Sequence, residues 1–438
     1  MKYYSTNGKA PYASLKEAVT RSLAPDRGLY VPEQIKNVPD SFTENIQYMT
    51  FQEIALEVAK TFFGDDIPET DLKGIVYDTL SFDCPIVKVS DNIWSLELYH
   101  GPTLAFKDVG ARFMARMLAY FTKQETGTIN VLVATSGDTG PANGFLGIDG
   151  IHVYVLYPKD KVSKIQESQF TTLGNNITAL EIDGTFDDCQ ALVKKAFSDT
   201  GLNATMRLTS ANSINVARFL PQSFYYFYAY AQMKRLGMAD NLVISVPSGN
   251  FGNITAGLYA WQMGLPIERF IAANNANDIF YHYLRTGTYE PRQSIQTIAN
   301  AMDVGNPSNF ARILSLFHNS HENIIKAIDG NAYQDNSISQ AISKCYKDSH
   351  YILDPHGACA WLALTDVLQN GEHGIFLETA HPAKFKDIVE DAIGTALTIP
   401  KRLEEFINGK KLSIPMTNRY EDFKKYLISQ QNNAGRKE

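Results

Sequence analysis

The segment HGPTLAFKDVGARFMARMLAYF, residues 100–121, places a lysine beside a predicted buried surface. Its apolar residues recur at steps of three and four, which predicts a helix with one buried face; they are Phe106, Val109, Phe113, Met117 and Phe121. Lys107 lies in the first turn, where the helix dipole disfavours a cation and apolar neighbours remove water, so we expect a lowered pKa for its amine. Such an amine is the nucleophile that forms Schiff bases with carbonyl compounds.

A glycine-containing loop in SVPSGNFGNITAG, residues 245–257, has the pattern of an anion site. An apolar β-branched run precedes it, residues 248–253 are small and polar, and a helical pattern begins at Ile254. Gly249 and Gly252, at a helix start, allow several backbone N–H groups to turn towards one anion. The loop is neither a Walker A motif nor a dinucleotide fingerprint, so it predicts a phosphate cradle without implying a nucleotide. A plain strand-to-helix turn is the alternative.

The segment ATSGDTGPANG, residues 134–144, is a second candidate anion loop. It follows a predicted strand, and Pro141 suits the first position of a helix. Ser136, Thr139 and the amides of residues 137–140 could bind a carboxylate, whereas Asp138 disfavours a polyphosphate. A plain turn is again the alternative. Together with Lys107 and the first loop, this set fits a carbonyl compound that carries a phosphate, and pyridoxal phosphate is such a compound.

Two further segments place polar residues where a pocket would need them. Asn212, Ser213 and Asn215 precede a long aromatic helix, where they act either as helix caps or as ligands. The segment GIFLETAHPAKF ends a predicted strand at Thr379 and His381. A strand-end hydroxyl can bond a ring nitrogen, and a simple turn is the alternative. The nine histidines include no H-E-x-x-H motif, so no metal site is expected.

Beyond the lysine, strands, glycine-containing loops and helices alternate along the chain, from INVLVAT to ERFIAAN. This alternation predicts an α/β fold: two doubly wound domains with largely parallel sheets and a cofactor cleft between them, after a small N-terminal α+β domain. The predicted units are residues 1–98, residues 99–235 with the lysine and the second loop, and residues 236–438 with the phosphate loop. In the first unit, Thr50 and Glu53 have capping-box spacing, and residues 85–99 read as two strands around a turn.

The composition is that of an ordinary globular protein. The chain has 438 residues, 44% hydrophobic, 20% charged and 11% aromatic, which suffices for more than one core. The net charge of −7 argues against a general affinity for nucleic acid or anionic membranes, so the run FYYFYAY is interpreted as core. Four separated cysteines, no signal-like start and no apolar run of membrane-spanning length lead us to expect a soluble cytoplasmic protein with reduced thiols.

Five segments, in this order and near these intervals, resemble one known family: LYHGPTLAFKDVGARFM, ATSGDTGPA, NSINVAR, VPSGNFGN and ETAHPAKF. In them the chain is similar to the threonine synthase family, pyridoxal-phosphate enzymes of fold type II with the tryptophan-synthase-β-like fold. The N-terminal segment LAPDRGLYVPE also matches, so the resemblance extends over roughly residues 4–400. The lysine segment and TAHPAKF are specific to this family, whereas the glycine loops also occur in its relatives.

The resemblance implies a role for each matching position. Lys107 would form a Schiff base with the cofactor and move protons between substrate carbons, and Thr379 would bond the pyridine nitrogen. The ligands of the cofactor phosphate would be Gly249, Asn250, Phe251, Gly252 and Asn253. The substrate carboxylate would be held by Thr135, Ser136, Gly137, Asp138 and Thr139. Because Asp138 stands where many relatives have Asn, the bond to the cofactor's ring oxygen would fall to Asn212 or Asn215.

The implied reaction converts O-phospho-L-homoserine and water to L-threonine and phosphate, by γ-elimination and β-addition of water. The phosphate of this small-molecule substrate needs its own site, built from cations or from amides, and Lys164, Arg112 and Arg218 are the candidate cations. Two rival interpretations stay open: another fold type II pyridoxal-phosphate lyase, such as a serine/threonine dehydratase or a β-replacement synthase, and a non-catalytic protein that binds phosphorylated metabolites. We expect no nucleic-acid or membrane partner, and a monomer or a homodimer.

Overall fold

The computed structural model describes residues 1–123, 127–137 and 140–434. Within them the strands form three sheets, with the orders β2-β1-β3, β12-β11-β10-β13-β5-β4 and β14-β8-β7-β6-β9. The strands are β1 (Lys2–Ser5), β2 (Ala13–Ser14), β3 (Tyr30–Pro32), β4 (Ile86–Ser90), β5 (Ile93–Glu97), β6 (Ile129–Ala134), β7 (Ile151–Pro158), β8 (Ile177–Asp183), β9 (Arg207–Ser210), β10 (Leu242–Pro247), β11 (Arg269–Asn274), β12 (Ile328–Ala332), β13 (His373–Glu378) and β14 (Ser413–Thr417).

Helices cover both faces of the two larger sheets, as expected of an α/β fold. They are α1 (Leu15–Arg21), α2 (Asp40–Asn45), α3 (Phe51–Phe63), α4 (Glu69–Thr79), α5 (Lys107–Thr122), α6 (Gly140–Gly144), α7 (Lys164–Thr171), α8 (Phe186–Ser198), α9 (Thr200–Thr205), α10 (Val216–Phe219), α11 (Ser223–Arg235), α12 (Gly252–Gln262), α13 (Ile279–Thr286), α14 (Phe310–Leu316), α15 (His321–Ala327), α16 (Asp335–Ser349), α17 (Pro355–Val367), α18 (Lys386–Ile393), α19 (Lys401–Ile407) and α20 (Tyr420–Ala434). Short 3₁₀ turns are Ile46–Tyr48, Leu220–Gln222, Asn300–Met302 and Pro382–Phe385. Over the described ranges, no helix combines the length and the apolar character that a membrane crossing requires.

The small N-terminal unit has the predicted mixed character. Strands β1, β2 and β3 form an antiparallel sheet; helix α1 lies between β2 and β3, and helices α2 to α4 follow β3. The predicted capping box of α3 is confirmed: the Glu53 amide donates to Thr50 Oγ1 at 3.3 Å, and the Thr50 amide donates to Glu53 Oε2 at 2.8 Å. This exchange satisfies two backbone donors that would otherwise lack partners at the helix start.

The six-stranded sheet is parallel except for the edge strand β4, which pairs antiparallel with β5. All residues of β10 are buried, and β11 and β13 are buried except at their first residues. Strands covered on both faces read as continuous apolar runs, which is the pattern that the sequence shows. Because β10, β13 and β5 are parallel neighbours, their carboxyl ends lie side by side at one edge of this sheet.

The five-stranded sheet is fully parallel, and its strands come from two of the predicted units. The hairpin β4–β5 forms as predicted, but it joins the six-stranded sheet rather than the N-terminal unit. Strand β14, near the C-terminus, returns to pair with β8 in the five-stranded sheet. The predicted divisions at residues 98 and 235 therefore do not coincide with the sheets, because strands from different predicted units pair with each other.

Helix α5 connects the two larger sheets. Its predicted apolar face is confirmed at Val109, Phe113 and Met117, which are fully buried, whereas Phe106, just before the helix, and Phe121 are half-buried. Glycines of the adjoining α6 allow close contact: a Cβ at Gly144 would lie 2.8 Å from Ala111 Cβ, and one at Gly140 would lie 2.8 Å from Lys107 Cβ. The start of α5, which follows the six-stranded sheet, thus touches the loop that follows β6 of the other sheet.

The end of β13 is fixed by a buried carboxyl group. Glu378 Oε1 accepts the Asp354 amide at 2.5 Å, and burial together with the neighbouring Asp354 raises the pKa of Glu378. Gly357, in the first turn of α17, lies against the same carboxyl: a Cβ there would be 1.5 Å from Glu378 Oε2. The strand end and α17 therefore pack too closely for any side chain at Gly357.

We expect Gly357→Ala to lower the free energy of unfolding by about 1–3 kcal/mol, because the added methyl group overlaps a buried group that has little room to move. Gly74→Ala is the matched control: Gly74 is exposed within α4 and a Cβ there meets no atom within 4 Å. That substitution should stabilise the protein by roughly 0.5–1 kcal/mol. Urea unfolding followed by circular dichroism measures both, and an unchanged Gly357→Ala protein would contradict the packing described.

Candidate active site

Three of the predicted site segments lie at the same edge of the six-stranded sheet. The glycine loop, residues 248–253, follows β10; Thr379 follows β13; and Lys107 comes ten residues after β5. The strand order β10-β13-β5 places Thr379 between the other two. In parallel sheets the crevice outside the carboxyl ends of the strands is the usual ligand site.

The glycine loop has the backbone shape of an anion cradle. The Ser248 amide donates to Ala273 O at 2.8 Å, and Asn274 Nδ2 donates to Ser248 O at 2.8 Å, which anchors the loop to β11. Phe251 then adopts a left-handed conformation, with φ of 62°, directly before α12 begins at Gly252. This reversal turns successive amides towards one point, as in the nests that bind phosphate groups.

The donors of this cradle have no acceptor in the described part of the chain. None of the backbone N–H groups of residues 249–254 donates to a described residue. Asn253 is 6% exposed, and its Oδ1 accepts from Tyr225 Oη at 2.6 Å and Tyr226 Oη at 2.8 Å. Its Nδ2 has no acceptor among the described residues. Because buried donors are normally paired, this set fits an anionic ligand such as a phosphate.

The outer wall of the cradle is a 3₁₀ turn, Asn300–Met302, that sequence reasoning missed. A Cβ at Gly249 would lie 2.7 Å from Met302 Cα, so only glycine fits there. The Ala301 amide donates to His356 Nε2 at 3.1 Å, and His356 Nδ1 lies 2.5 Å from Asp354 Oδ1. His356 therefore carries its proton on Nδ1, which leaves Nε2 as the acceptor that positions the turn.

The backbone at Lys107 is held from three directions. The Phe106 amide donates to Thr379 O at 2.9 Å, and Arg218 Nη1 donates to Lys107 O at 2.6 Å. Gly140 packs against Lys107 Cβ, as described above. The side chain is half-buried, and its Nζ lies 5.8 Å from the centre of the Phe106 ring. These contacts fix the lysine beside Thr379 and beside the loop that follows β6.

Asp108, the residue after the lysine, is a buried anchor that the sequence did not single out. Its carboxyl group accepts from the Thr103 amide and from Thr103 Oγ1, both at 2.8 Å, and burial raises its pKa to about 6. Thr103 O in turn accepts from Gln169 Nε2 at 2.9 Å and from Lys384 Nζ at 3.0 Å. Through Thr103, the start of α5 is tied to α7 and to the TAHPAKF turn.

Thr379 lies in a buried turn that leads away from β13. It is 6% exposed, and the turn is completed by His381, whose Nδ1 accepts the Ala383 amide at 3.1 Å. The His381 ring packs against Tyr99 with 5.2 Å between the ring centres. Burial, reinforced by the nearby His100, lowers the pKa of His381 to about 4. The turn therefore contains a neutral imidazole at physiological pH.

Of the two asparagines proposed for the cofactor's ring oxygen, Asn215 is already fully bonded. Its Nδ2 donates to Val19 O at 2.8 Å and to Ser22 Oγ at 2.7 Å, and its Oδ1 accepts the Ala217 amide at 2.9 Å. An amide nitrogen has two N–H donors, and both are used in contacts with the N-terminal unit. Asn212 is half-buried and lies on the same segment.

The second anion loop is described only in part. Gly137, with φ of 138°, donates its amide to Thr135 Oγ1 at 3.0 Å, and a Cβ there would lie 2.7 Å from Gln166 Oε1. Ser136, two residues after the end of β6, is exposed. Asp138 and Thr139 lie outside the described residues. The described part thus follows β6 as predicted and is packed against α7.

The three cations suggested for a substrate phosphate occupy different surroundings. Arg112 donates to Thr79 O at 2.9 Å and Asp78 O at 2.6 Å, at the C-terminal end of α4. Arg218 is buried and donates to Ala211 O at 3.1 Å as well as to Lys107 O. Lys164 is exposed at the start of α7.

No group of three potential metal ligands comes together in the described ranges.

The neutral His381 should make stability depend on pH. The pKa of His381 is about 4 in the folded protein and about 6.5 in the unfolded chain, so between these pH values the unfolded chain binds more protons. The free energy of unfolding therefore falls as the pH falls through this window. His381→Asn retains an acceptor for the Ala383 amide but does not titrate. We expect the stability of the native protein to fall relative to this variant by up to about 1.4 kcal/mol per pH unit.

Chemical denaturation at pH 7.5, 6.5, 5.5 and 4.5 measures this difference, and a difference that stays constant over the series would contradict it. The other charged or titratable groups around the ring are present in both proteins, so the comparison cancels their contributions; these groups are Glu97, His100, Asp354 and Lys384.

Three protein-family models match this chain, and together they extend over most of its length. A family model described as "Pyridoxal-phosphate dependent enzyme" matches residues 82–374. Two further models, described as "Threonine synthase N terminus" and "Threonine synthase, C-terminal", match residues 2–80 and 357–427. Between them these models include the lysine, the cradle and the TAHPAKF turn.

Individual relatives support the same assignment. Threonine synthase from Haemophilus influenzae is 42% identical over 430 residues, which cover 98% of this chain and 100% of that protein. The crystal structure of threonine synthase from Escherichia coli has a TM-score of 0.91 at 40% identity, covering 98% of this chain and 100% of that one. The crystal structure of threonine synthase with bound pyridoxal phosphate from Brucella melitensis has a TM-score of 0.93 at 34% identity, covering 98% and 99%. This chain therefore belongs to the threonine synthase family of pyridoxal-phosphate-dependent enzymes.

Proposed function

We propose that this protein converts O-phospho-L-homoserine and water to L-threonine and phosphate. The observation that carries the proposal is the meeting of Lys107, Thr379 and the anion cradle at one edge of the six-stranded sheet. A lysine amine, a buried hydroxyl and a phosphate cradle are what a phosphorylated pyridine aldehyde requires for binding. The family supplies the substrate class, and this arrangement supplies the chemistry.

The cofactor would be held from its two ends. The amides of residues 249–254 and Asn253 Nδ2 are the donors for its phosphate, since none of them has an acceptor among the described residues. Thr379 would bond the pyridine nitrogen through its hydroxyl. A hydroxyl, unlike a carboxylate, does not stabilise a protonated ring nitrogen, so the electron demand of the ring is moderate. When bound, pyridoxal phosphate supplies an electron sink for negative charge beside the substrate nitrogen.

Lys107 would carry out the proton transfers. Its amine would hold the cofactor through the aldehyde at rest and, once the substrate amine is bound, would act as the base. It would remove one proton from Cα and one from Cβ as phosphate leaves from Cγ, and it would return one proton to Cγ, which becomes the methyl group, and one to Cα. Water would add its hydroxyl at Cβ to give the hydroxyl of threonine, and its remaining proton would go to the released phosphate. The contacts of Phe106, Lys107 and Gly140 support this role because they hold the lysine backbone in one position.

The remaining ligands are assigned by position and by the hydrogen bonds that each side chain already makes. The loop of Thr135, Ser136, Gly137, Asp138 and Thr139 would hold the substrate carboxylate. Asn212 is preferred to Asn215 for the cofactor's ring oxygen, since both donors of Asn215 are used elsewhere. For the substrate phosphate, Lys164 is preferred, because it begins α7, whose Gln166 contacts Gly137, whereas Arg112 bonds the end of α4.

We also propose a cytoplasmic location and a small-molecule partner only, for a monomer or homodimer. The cysteines Cys84, Cys189, Cys345 and Cys359 are buried and unpaired, which suits a reducing compartment. The net charge of −7 supports the absence of a general nucleic-acid or membrane partner.

The reaction itself is tested by incubating the pyridoxal-phosphate-loaded protein with O-phospho-L-homoserine. We expect inorganic phosphate and threonine in equal amounts. The same protein given L-serine or L-threonine should form the corresponding 2-oxo acids much more slowly. Rapid 2-oxo-acid formation without phosphate release would favour a dehydratase, and no turnover of any of these substrates would favour a metabolite-binding protein.

Lys107→Ala tests the role of the lysine. We expect it to lower turnover by roughly 10³-fold or more, because both proton transfers lose their base. Borohydride reduction followed by peptide mass spectrometry should find the cofactor on Lys107 in the native protein and on no peptide of the variant. Lys344→Ala, which removes an exposed lysine of α16, is the control and should leave both results unchanged. Labelling of a different lysine in the native protein would overturn the assignment.

A further inference from the structure

Arg312, on α14, is a fully buried cation close to the cradle. Its guanidinium group uses all five N–H donors, and every acceptor is a neutral oxygen. These bonds are Nε to Tyr30 O at 3.3 Å, Nη2 to Tyr30 O at 3.0 Å and Ile214 O at 2.6 Å, and Nη1 to Ser213 O at 2.8 Å and Asn309 Oδ1 at 2.7 Å. One face of the group stacks on Phe219 at 3.9 Å.

The charge of Arg312 has no anionic partner in the described part of the chain. None of the described carboxylates forms an ion pair with it, and the group with which it interacts most strongly through charge is Tyr259. Burial lowers the pKa of Arg312 to about 9, which still leaves it protonated at neutral pH. A buried cation without a counter-ion is unfavourable, and proteins normally pair such a charge or use it to bind an anion.

Two residues connect Arg312 to the cradle. Asn309, which accepts from the guanidinium, donates through Nδ2 to Asn250 O at 3.0 Å and to Ser213 Oγ at 3.2 Å. Asn250 Nδ2 also donates to Ser213 Oγ at 2.7 Å. A Cβ at Gly252 would lie 3.1 Å from Ser213 Cβ, so Ser213 packs directly against the start of α12. The guanidinium is thus separated from the cradle backbone by a single layer of side chains.

We propose that Arg312 is the fixed positive charge behind the cofactor-phosphate cradle, where it favours a dianionic ligand and, through Asn309 and Ser213, holds the loop in its binding shape. The proposal rests on the assignment of residues 249–253 to the cofactor phosphate. Arg312 does not touch the cradle ligand and is therefore a positioning residue. Its electrostatic effect should be large for its distance, because the surroundings are buried and screen charge weakly.

A purely structural role makes a different prediction from an electrostatic one. Arg312 also ties Tyr30 of the N-terminal unit to the Ser213–Ile214 backbone, so its removal will reduce stability in either case. A general loss of stability weakens all ligands alike, whereas an effect on the cradle, through its charge or its loop shape, is selective for the phosphate of the ligand, and Arg312→Lys separates the charge from the hydrogen bonds. Pyridoxal, which has the aldehyde and the ring but no phosphate, is therefore the reference ligand for pyridoxal phosphate.

The experiment compares dissociation constants of pyridoxal phosphate and pyridoxal for the cofactor-free full-length protein, by absorbance titration. We expect Arg312→Met to weaken pyridoxal phosphate by roughly 10-fold or more while changing pyridoxal little, because a buried charge partner has been removed. Arg312→Lys keeps the charge with fewer donors, so the ratio of the two constants should stay near the native value. An equal effect on both ligands, or none on either, would overturn the proposal.

A second variant covers the case in which Arg312→Met does not fold. Asn309→Asp keeps the size of the side chain and places a carboxylate against the guanidinium, so that the charge is neutralised within the protein. The same selective loss of pyridoxal phosphate is expected. Retention of the native ratio in Asn309→Asp would contradict an electrostatic role for Arg312.

Two controls separate this proposal from the cradle assignment. Asn253→Ala removes a cradle donor and should weaken pyridoxal phosphate selectively; if it does not, the cradle assignment itself fails. If Asn253→Ala is selective and Arg312→Met is not, the cradle stands and the role of Arg312 fails. Arg235→Met removes another arginine that donates to backbone carbonyls, those of Gln47 and Met49, and should leave the ratio unchanged.

Discussion

The backbone N–H groups of residues 249–254 have no acceptor among the described residues, and much of the surrounding structure fixes the loop that carries them. Such an arrangement is unfavourable when empty of an anion, so it must be imposed by neighbours. β11 anchors the loop through Asn274, the turn at Met302 closes one side, and Ser213 closes the other. Tyr225 and Tyr226 fix Asn253 so that its own free donor joins the set.

The lysine is positioned by the same sheet in a different way. Its helix begins only where the chain has bonded back to the end of β13, through the Phe106 amide and the bridge between Ala105 and Ala380. The backbone before Lys107 and the backbone around Thr379 are therefore joined directly at the sheet edge. The cradle follows β10, which pairs with β13, so it begins at the same sheet edge as Thr379.

The N-terminal unit contacts the segment that lies beside the cradle. Its backbone accepts from Asn215 at Val19 and from Arg312 at Tyr30. Asn215 belongs to the segment that includes Asn212 and Ser213, and Arg312 bonds the same segment at Ser213 O and Ile214 O. This segment forms one wall of the cradle. The small N-terminal unit thus helps to hold in place the segment that packs against the cradle.

The sequence by itself determined the features that depend on near neighbours in the chain. The helix that starts with Lys107, the capping box at Thr50, the hairpin β4–β5 and the strand–loop–helix pattern at Gly249 all follow from interactions within a few residues. The α/β class and the site edge follow from their alternation. The family resemblance then attached a substrate to them.

Only the tertiary structure decided which polar side chains still have donors that could bind a ligand. Asn215 looked equivalent to Asn212 in the sequence, but its donors bond residues 196 and 193 positions away. Arg312, Asp108 and Tyr225 carried no local signal, because their roles come from partners that the fold brings to them. The hairpin β4–β5 likewise belongs to the six-stranded sheet and not to the N-terminal unit in which it was predicted. Local patterns are fixed by short-range backbone geometry, whereas the pairing of buried polar groups is fixed by packing between distant segments.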